Sequence, residues 1–571
     1  MRGAHRHRPV RAPLRLRLVR RPTHLDSVCS MNARAVLLPF LFLAPSLLAQ
    51  VDLAQFEAIK MEGFEKSRVM AHLDHLVNRI GPRLTSSDNL TIACEWARDE
   101  FAAMGLSDSR LEQWGEMEVG FNRGPWWGRI TAPIEKELVF GTDAWSAGTK
   151  GPARGPVVLS PKTEEELAAM RSKIKGAWVL GVPGALLTKV ADAVDEEGGL
   201  GIVATTRDHL VQTSGNSRLA WAKLPKTVVV RVRKDLYEEM RAMAEEGKAV
   251  EVEFDVQNHF RKGPIPQFNV IADIRGTEKP DEYVVVGGHI DSWDGASGTT
   301  DNGTGTATTM EAARILMAIG AKPRRSIRFM LWGGEEQGLL GSRAWVQAHK
   351  DEMGNYSACL VHDGGTNYVS GIAGMKEMRP QLDTAFAHVL KMGGELKFAI
   401  REIDAFRPIG SDHEAFTAVG VPGFFWDQAG RADYNHTHHT QYDTYAAAIP
   451  EYQMHTAVVV ATGALGIANL PDMLSRENMK VERGFGGMRN RSRRTLGVEL
   501  GDDGVTISGV TADSVAAKSG LLAGDKLMQV DDVKIAGQDD LRRALAAGGV
   551  EKAIVVLRAG AEVKLQAKFE R

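Results

Sequence analysis

Three short apolar runs between residues 283 and 365 each end in a motif of glycines and charged side chains: YVVVGGHI, SIRFMLWGG and SACLVHDGG. Runs without polar alternation, bounded by turn residues, are those of strands buried on both faces. Between them TATTMEAARILMAIG and GLLGSRAWVQAHK have helical spacing, and a long helix is expected at 452–469. Alternation of this kind confines the chain to the α/β class, with a mostly parallel sheet flanked by helices. Ligands in such sheets bind beyond the carboxyl ends of the strands. His289, the Glu335–Glu336 pair and Asp363 each follow one of the three runs, so three motifs converge on one site.

Two more motifs complete a set. Asp301 opens DNGTG just before a helix, and His439 lies in HTHHTQYDT. His289, Asp301, Glu336, Asp363 and His439 thus offer two imidazoles and three carboxylates in an order that fits a pair of bridged zinc ions. That donor set suits Zn²⁺ with room for a water. Two metals about 3.5–4 Å apart can activate the water and clamp a carbonyl oxygen. A capping histidine would explain HID alone, and an Asp/Asn helix cap would explain DNG alone. Neither explains the succession of motifs. Adjacent buried glutamates repel unless cations or protons compensate, which one metal-bound carboxylate and one general base, Glu335, would achieve. Asp291, two residues after His289, is placed to orient that ring. Which ring of His436, His438 and His439 would ligate is left open by the residues themselves. SDHEAF at 411–416 is expected to support the site from a helix N-terminus, with Ser411 as cap and neither Asp412 nor His413 as a ligand.

The chain has 571 residues, is 43% hydrophobic and 25% charged, and carries a net charge of −2. This is enough apolar material for several cores and gives no electrostatic argument for nucleic acid or an anionic membrane. Residues 1–30 hold eight arginines and one acid, Asp26, and are read as a non-native leader, with Met31 as the true start. From there Arg34, the run AVLLPFLFLA and the end SLLAQ have the layout of a signal peptide over 31–49, implying a secreted or periplasmic protein. The run is too short for a comfortable membrane span. Cys29 has no setting for a lipid anchor, and Cys94 and Cys359 are expected to be buried free thiols.

Residues 52–105 are mainly helical around the turn IGPRLTSS at 80–87. In 129–262, strands such as GAWVLGV and TVVVRV alternate with acidic helical pieces. That span is read as an inserted β-rich module and resembles a protease-associated domain. It divides the peptidase part into 50–128 and 263–470. A polar, Arg-rich linker is expected at 471–494. Within 495–571, AAKSGLLAGDKLMQVDD with the nearby LGV is similar to bacterial PDZ domains. The resemblance implies that the amides around Leu496, Gly497 and Val498 receive a peptide's terminal carboxylate, beside a helix at 539–547.

Across 268–469 the motifs GGHIDSWD, DNGTG, GEEQGLLGS, HDGG and HTQYDT resemble the co-catalytic dinuclear zinc aminopeptidase family, in its carboxypeptidase Q-like branch. With the helical N-terminus and inserted module, the likeness covers about 52–469. It implies the zinc exopeptidase fold and two zinc ions per chain, one on His289 and Asp363, the other on Glu336 and His439. Asp301 would bridge them and Glu335 would be the base. His439 is preferred on the family pattern His-Thr/Ser-x-x-Asp-Thr. Two positions depart: His438 stands where simple aminopeptidases have tyrosine, and Asn302 where many relatives have an acid.

The function expected is a secreted dizinc exopeptidase acting on short peptides, in which Glu335 takes a proton from a zinc-bridging water and returns it to the leaving amine, while His438 helps polarise the carbonyl. Amino-terminal, carboxyl-terminal and dipeptide specificity stay open. Two rival classes are an inactive receptor on the same fold and a single-zinc acyl transferase of the glutaminyl-cyclase kind.

Overall fold

The protein is described as a computed structural model, over residues 51–569 without 182–183, 483–495, 502, 512–513, 538–539, 542–543 and 546–548. The expected leader and signal peptide lie outside the described residues.

The three apolar runs form the strands Lys279–His289, Arg325–Trp332 and Tyr356–Val361. They are parallel neighbours, and Gly423–Phe425 extends the parallel set beyond Tyr356–Val361. Every residue of Arg325–Trp332 and of Tyr356–Val361 is buried, because both faces of the sheet are covered. On one face the helices Thr304–Ala318 and Pro450–Ala468 pack with Leu53–Lys60 and Asp88–Ala103 around Phe329, Leu331, Leu360, Ile315 and Val458. Pro450–Ala468 is buried nearly all round, as a helix apolar on all sides requires. Asp88–Ala103 starts where the Ser87 hydroxyl accepts the Leu90 N–H, satisfying a donor that the helix itself cannot. On the other face Trp332, Trp345, Tyr356 and Phe416 form a second core.

The sheet does not stop at Arg325–Trp332. Its next neighbour is the long antiparallel strand Glu251–Ile274, paired along its length with Ser107–Ala132. Both strands run through the boundaries expected at 129 and 262. Glu251–Ile274 then pairs with Ala153–Leu159, which leads into Trp178–Leu180, Gly201–Thr205 and Val229–Val232, all parallel. The helices Glu164–Ile174, Leu187–Glu197 and Lys234–Glu245 alternate with these strands. The span 129–262 is therefore strand–helix alternation over its own core of Trp178, Val203, Val230, Met240 and Phe254. The acidic pieces are the helices expected there, and their apolar residues, Leu167 and Ile174 in one and Leu236 and Met240 in another, face this part of the sheet.

Residues 471–482 lie on the peptidase body. The Leu474 N–H donates to Ser357 Oγ at 3.0 Å and the Ser475 N–H to Gln381 Oε1 at 2.8 Å, and the Glu482 N–H donates to the Phe406 carbonyl at 2.8 Å. In the C-terminal part, Val498–Leu500 pairs with Ile507–Val510. Lys526–Val530 pairs with Val533–Lys534 and Glu551–Arg558, and Ala561–Lys568 forms the edge. They enclose Leu496, Ile507, Leu527, Ile554 and Val556. The helix expected at 539–547 lies partly outside the described residues. Cys94 and Cys359 are buried free thiols. Among the described residues no helix is long and apolar enough to cross a membrane.

Candidate metal centre

His289 is the last residue of its strand. Its carbonyl accepts the Thr306 hydroxyl at 2.8 Å, and its Nδ1 lies 3.0 Å from the Asp291 carbonyl. The Asp291 carboxylate is farther, 3.5 Å from Nδ1. Asp291 thus orients the ring through its backbone first, leaving Nε2 to face the site. Its carboxylate is held by the Thr85 hydroxyl at 2.8 Å and the Glu335 N–H at 3.2 Å.

Asp301 sits in a kinked segment, Thr299–Gly303, that leads into the helix Thr304–Ala318. Asn302 next to it is spent on structure: its Nδ2 donates to the His362 carbonyl at 2.8 Å and its Oδ1 accepts the Gly305 N–H at 3.0 Å. An acid there could accept the second bond but not donate the first.

The five expected ligands meet. His289 Nε2 is 3.0 Å from Asp363 Oδ1 and 3.3 Å from Asp301 Oδ1. His439 Nε2 is 3.0 Å from Asp301 Oδ2 and 3.0 Å from Glu336 Oε2. Each oxygen of Asp301 therefore faces a different imidazole. Two triads, His289–Asp301–Glu336 and Asp301–His438–His439, offer ligand atoms within 4.8 Å of one another and could each hold a cation. Glu335 Oε2 stands 4.0 Å from His289 Nε2.

The charges here are poorly compensated by protein alone. Asp301 Oδ2 and Glu336 Oε1 are buried without a hydrogen-bond partner. Burial and then Asp301 push Glu336 up to about 7. Burial raises Glu335 well above the carboxylate range; His289 opposes this, while Asp363, Asp412 and Glu336 add to it. The imidazoles respond in the opposite sense. Burial would lower His439, but Glu336 and Asp301 outweigh it and hold the ring at about 10; His289 is raised by Asp363 and Glu335 against the same cost. Carboxylates that resist ionising together, around rings held cationic for want of another charge, fit bound cations.

His438 stacks on His439 with ring centroids 3.8 Å apart and places Nε2 3.6 Å from Asp301 Oδ2. His436 instead stacks on Tyr442 at 4.4 Å. Ser411 is not a side-chain cap. The helix His413–Thr417 begins after Asp412 with no side-chain cap bond, and Ser411 Oγ is buried unpartnered. Leu496, Gly497 and Val498 lie at the start of the Val498–Leu500 strand, where the Leu496 carbonyl accepts the Ala516 N–H at 2.7 Å. Gly497 has φ +77°, and a Cβ there would meet Ser514 Cβ at 2.3 Å.

Sequence reasoning missed several residues of this centre. Arg83, fully buried, donates to the carbonyls of Ile290, Gly81, Ser297 and Gly298 and so ties the IGPR turn to the metal loop. The turn was legible, but its arginine gave no signal of partners more than 200 residues away. Asp443 and Thr213 support the loops of Asp301 and His439 from segments 143 and 226 positions away. Asp412 is buried, and burial pushes it up to about 7 against the attraction of His289.

Residues 269–462 match Peptidase family M28, and residues 506–558 match the PDZ domain. Carboxypeptidase Q of Mus musculus is 27% identical over 444 residues, spanning 72% of this chain and 88% of that protein. The Homo sapiens carboxypeptidase Q is 26% identical over 439 residues, with the same shares. Among solved structures, a peptidase M28 precursor from Shewanella amazonensis SB2B aligns with a TM-score of 0.54 at 23% identity, covering 74% of this chain and 97% of that one. Catalytic-type motifs at the strand ends, a shared fold and the matched spans agree: residues 269–462 form a peptidase family M28 domain, and a PDZ domain follows at 506–558.

Proposed function

We propose that the protein is an exported dizinc exopeptidase that hydrolyses short peptides. The observation that carries this is Asp301, whose two oxygens face His289 and His439 separately, as a carboxylate bridging two cations must. His289 and Asp363 would hold one zinc, Glu336 and His439 the other. The metals would supply Lewis acidity toward the scissile carbonyl and lower the pKa of a water between them.

The chain's own groups do the rest. Glu335 Oε2 takes a proton from the attacking water and later delivers it to the leaving amine nitrogen. Burial, which raises its pKa, makes it able to hold that proton between the two events. Its N–H bond to Asp291 links the base to the residue that orients His289. Burial and then His439 lower the pKa of His438, so a neutral ring donates its N–H toward the substrate carbonyl oxygen. A cavity of about 470 Å³ lined in part by Tyr434, Thr437 and Arg431 adjoins this ring through Tyr434, whose centroid is 4.9 Å from that of His438. Its size suits a residue or two of a short peptide.

In this reading residues 129–262 form a protease-associated-like module, and 31–49 export the chain. The 495–571 module binds a peptide's C-terminus at the amides around Leu496, Gly497 and Val498. Zinc stoichiometry measured together with dipeptide hydrolysis tests the proposal: two zincs with turnover are expected. One zinc with acyl transfer would favour the cyclase-like reading, and full loading without turnover the receptor reading.

A further inference from the structure

We propose that Thr213, in the segment between the strands Gly201–Thr205 and Val229–Val232, is a positioning residue for His439, so that the inserted region is part of the metal site. The inference rests on the dizinc reading. His439 has φ +58°, a left-handed conformation rare for a residue with a side chain. Such a backbone persists only where its surroundings over-determine it. Here the surroundings are Thr213: its N–H and its hydroxyl both donate to the His439 carbonyl, at 2.8 and 3.2 Å.

The contact is the centre of a short zipper. Gln212 and Thr440 form an antiparallel bridge. The Val211 N–H donates to Gln441 Oε1 at 2.8 Å, the Gln441 N–H to the Val211 carbonyl at 3.2 Å, and Gln441 Nε2 to the His209 carbonyl at 3.2 Å. The segment is anchored from behind, where the Ala144 N–H meets the Ser214 carbonyl at 2.8 Å. Thr213 also fits against the loop after His289. A Cβ on Gly295 would fall 1.7 Å from Thr213 Cγ2, so only glycine admits Thr213 there. Thr213 is buried and joins Asp301, Glu336 and His439 in lining one small cavity. Fixing the carbonyl of a left-handed residue fixes its Cα–Cβ direction, and with it where Nε2 lies relative to Asp301 and Glu336.

Residues that orient a metal ligand change metal affinity about 10–100-fold when removed. The test uses the full chain stripped of metal, with Zn²⁺ alone as probe in competition with a chromophoric chelator, on Thr213→Val, Thr213→Ser, Gln441→Ala and the Thr213→Val/Gln441→Ala pair. Thr213→Val and Gln441→Ala are each expected to weaken one of the two zincs about tenfold and leave the other at parent affinity, with Thr213→Ser restored. Parent affinity at both sites in Thr213→Val would overturn the inference, whatever the pair shows. If the pair does not fold, Thr213→Val against Thr213→Ser decides it. His439→Ala separates the two levels: retention of both zincs there would overturn the metal reading and this inference with it. Loss of one zinc there, with Thr213→Val indistinguishable from parent, would overturn the role of Thr213 alone.

Discussion

Asp443 accepts the backbone N–H of Thr300 at 2.5 Å, joining the loop that carries His439 to the loop that carries Asp301. Its other oxygen accepts the Asp301 N–H at 3.2 Å. Asp443→Asn keeps the shape but turns an NH₂ toward one of these donors. A buried amide left without an acceptor costs about 1–3 kcal/mol. The variant is expected to lose about 2 kcal/mol of stability and to bind zinc more weakly, as read by thermal melting and chelator competition. Parent behaviour in both would show that this crosslink does not hold the loops.

On the proposed dizinc reading Glu335→Gln should keep the fold and both zincs, because Glu335 Oε2 stands back at 4.0 Å from His289 Nε2, where Asp363 and Asp301 approach to 3.0 and 3.3 Å. Removing a general base costs about 10²–10⁴-fold in kcat. Turnover near the parent's at full metal loading would require a different base.

The rings of His436 and His439 are separated by geometry. His439 Nε2 contacts two carboxylates at 3.0 Å, whereas His436 stacks on Tyr442. Elemental analysis is expected to find one zinc lost from His439→Ala and none from His436→Ala. The reverse pattern would put the ligand at the wrong ring.

The buried strands and the residues at their ends were legible because both are local. An apolar run announces its own burial, and the next two or three residues occupy the strand end whatever the rest of the chain does. His289, Glu336 and Asp363 were found this way. Arg83, Thr213 and Asp443 act through contacts across 140 to more than 220 positions, and no periodicity records such partnerships. The continuity of the two sheets through Ser107–Ala132 and Glu251–Ile274 was equally invisible. Those strands carry turn-forming and charged residues along much of their length, since their outer stretch is only partly buried. Ser411 shows the converse error. A serine before an acidic, helical stretch suggests a cap, yet the local turn is closed by backbone bonds such as Glu414 N–H to the Ser411 carbonyl at 3.0 Å.

Glu311 gives the fold an acid-sensitive contact away from the site. Its side chain is fully buried in the helix Thr304–Ala318. Burial alone would raise its pKa, but His72, Arg314 and the Arg68 N–H outweigh it and hold the carboxyl below its ordinary value of 4.5. A carboxyl depressed on folding stabilises the native state above its unfolded pKa, and that contribution is lost as pH falls through the folded one. Glu311→Gln leaves Arg314 with Glu62 as its charged partner and should cost about 2 kcal/mol near neutrality. Melting temperatures should converge as pH is lowered from about 6 to about 3. A gap that stays constant would mean that Glu311 acts through packing alone.

The C-terminal module is expected to be dispensable for dipeptide hydrolysis but to matter for longer peptides. It has its own core around Leu527, Ile554 and Val556, and among the described residues no cluster of metal-ligating groups lies in it. A groove that holds a peptide end through main-chain bonds tethers without catalysing. Tethering raises the effective concentration at a second site only when the connection can span the distance. The place to cut follows from the contacts of 471–482. Arg476 donates to the Tyr356 and Met353 carbonyls, and Glu482 bonds to Phe406. A chain ending at Ser475 would leave those groups unpaired, so the cut belongs after Glu482. A chain ending there should fold, bind zinc as the parent does and cleave dipeptides at about the parent rate. Its kcat/KM on long peptides with a free C-terminus should fall while that on dipeptides holds. Unfolding of that shortened chain, or loss of dipeptidase activity with zinc still bound, would make the module part of the catalytic architecture.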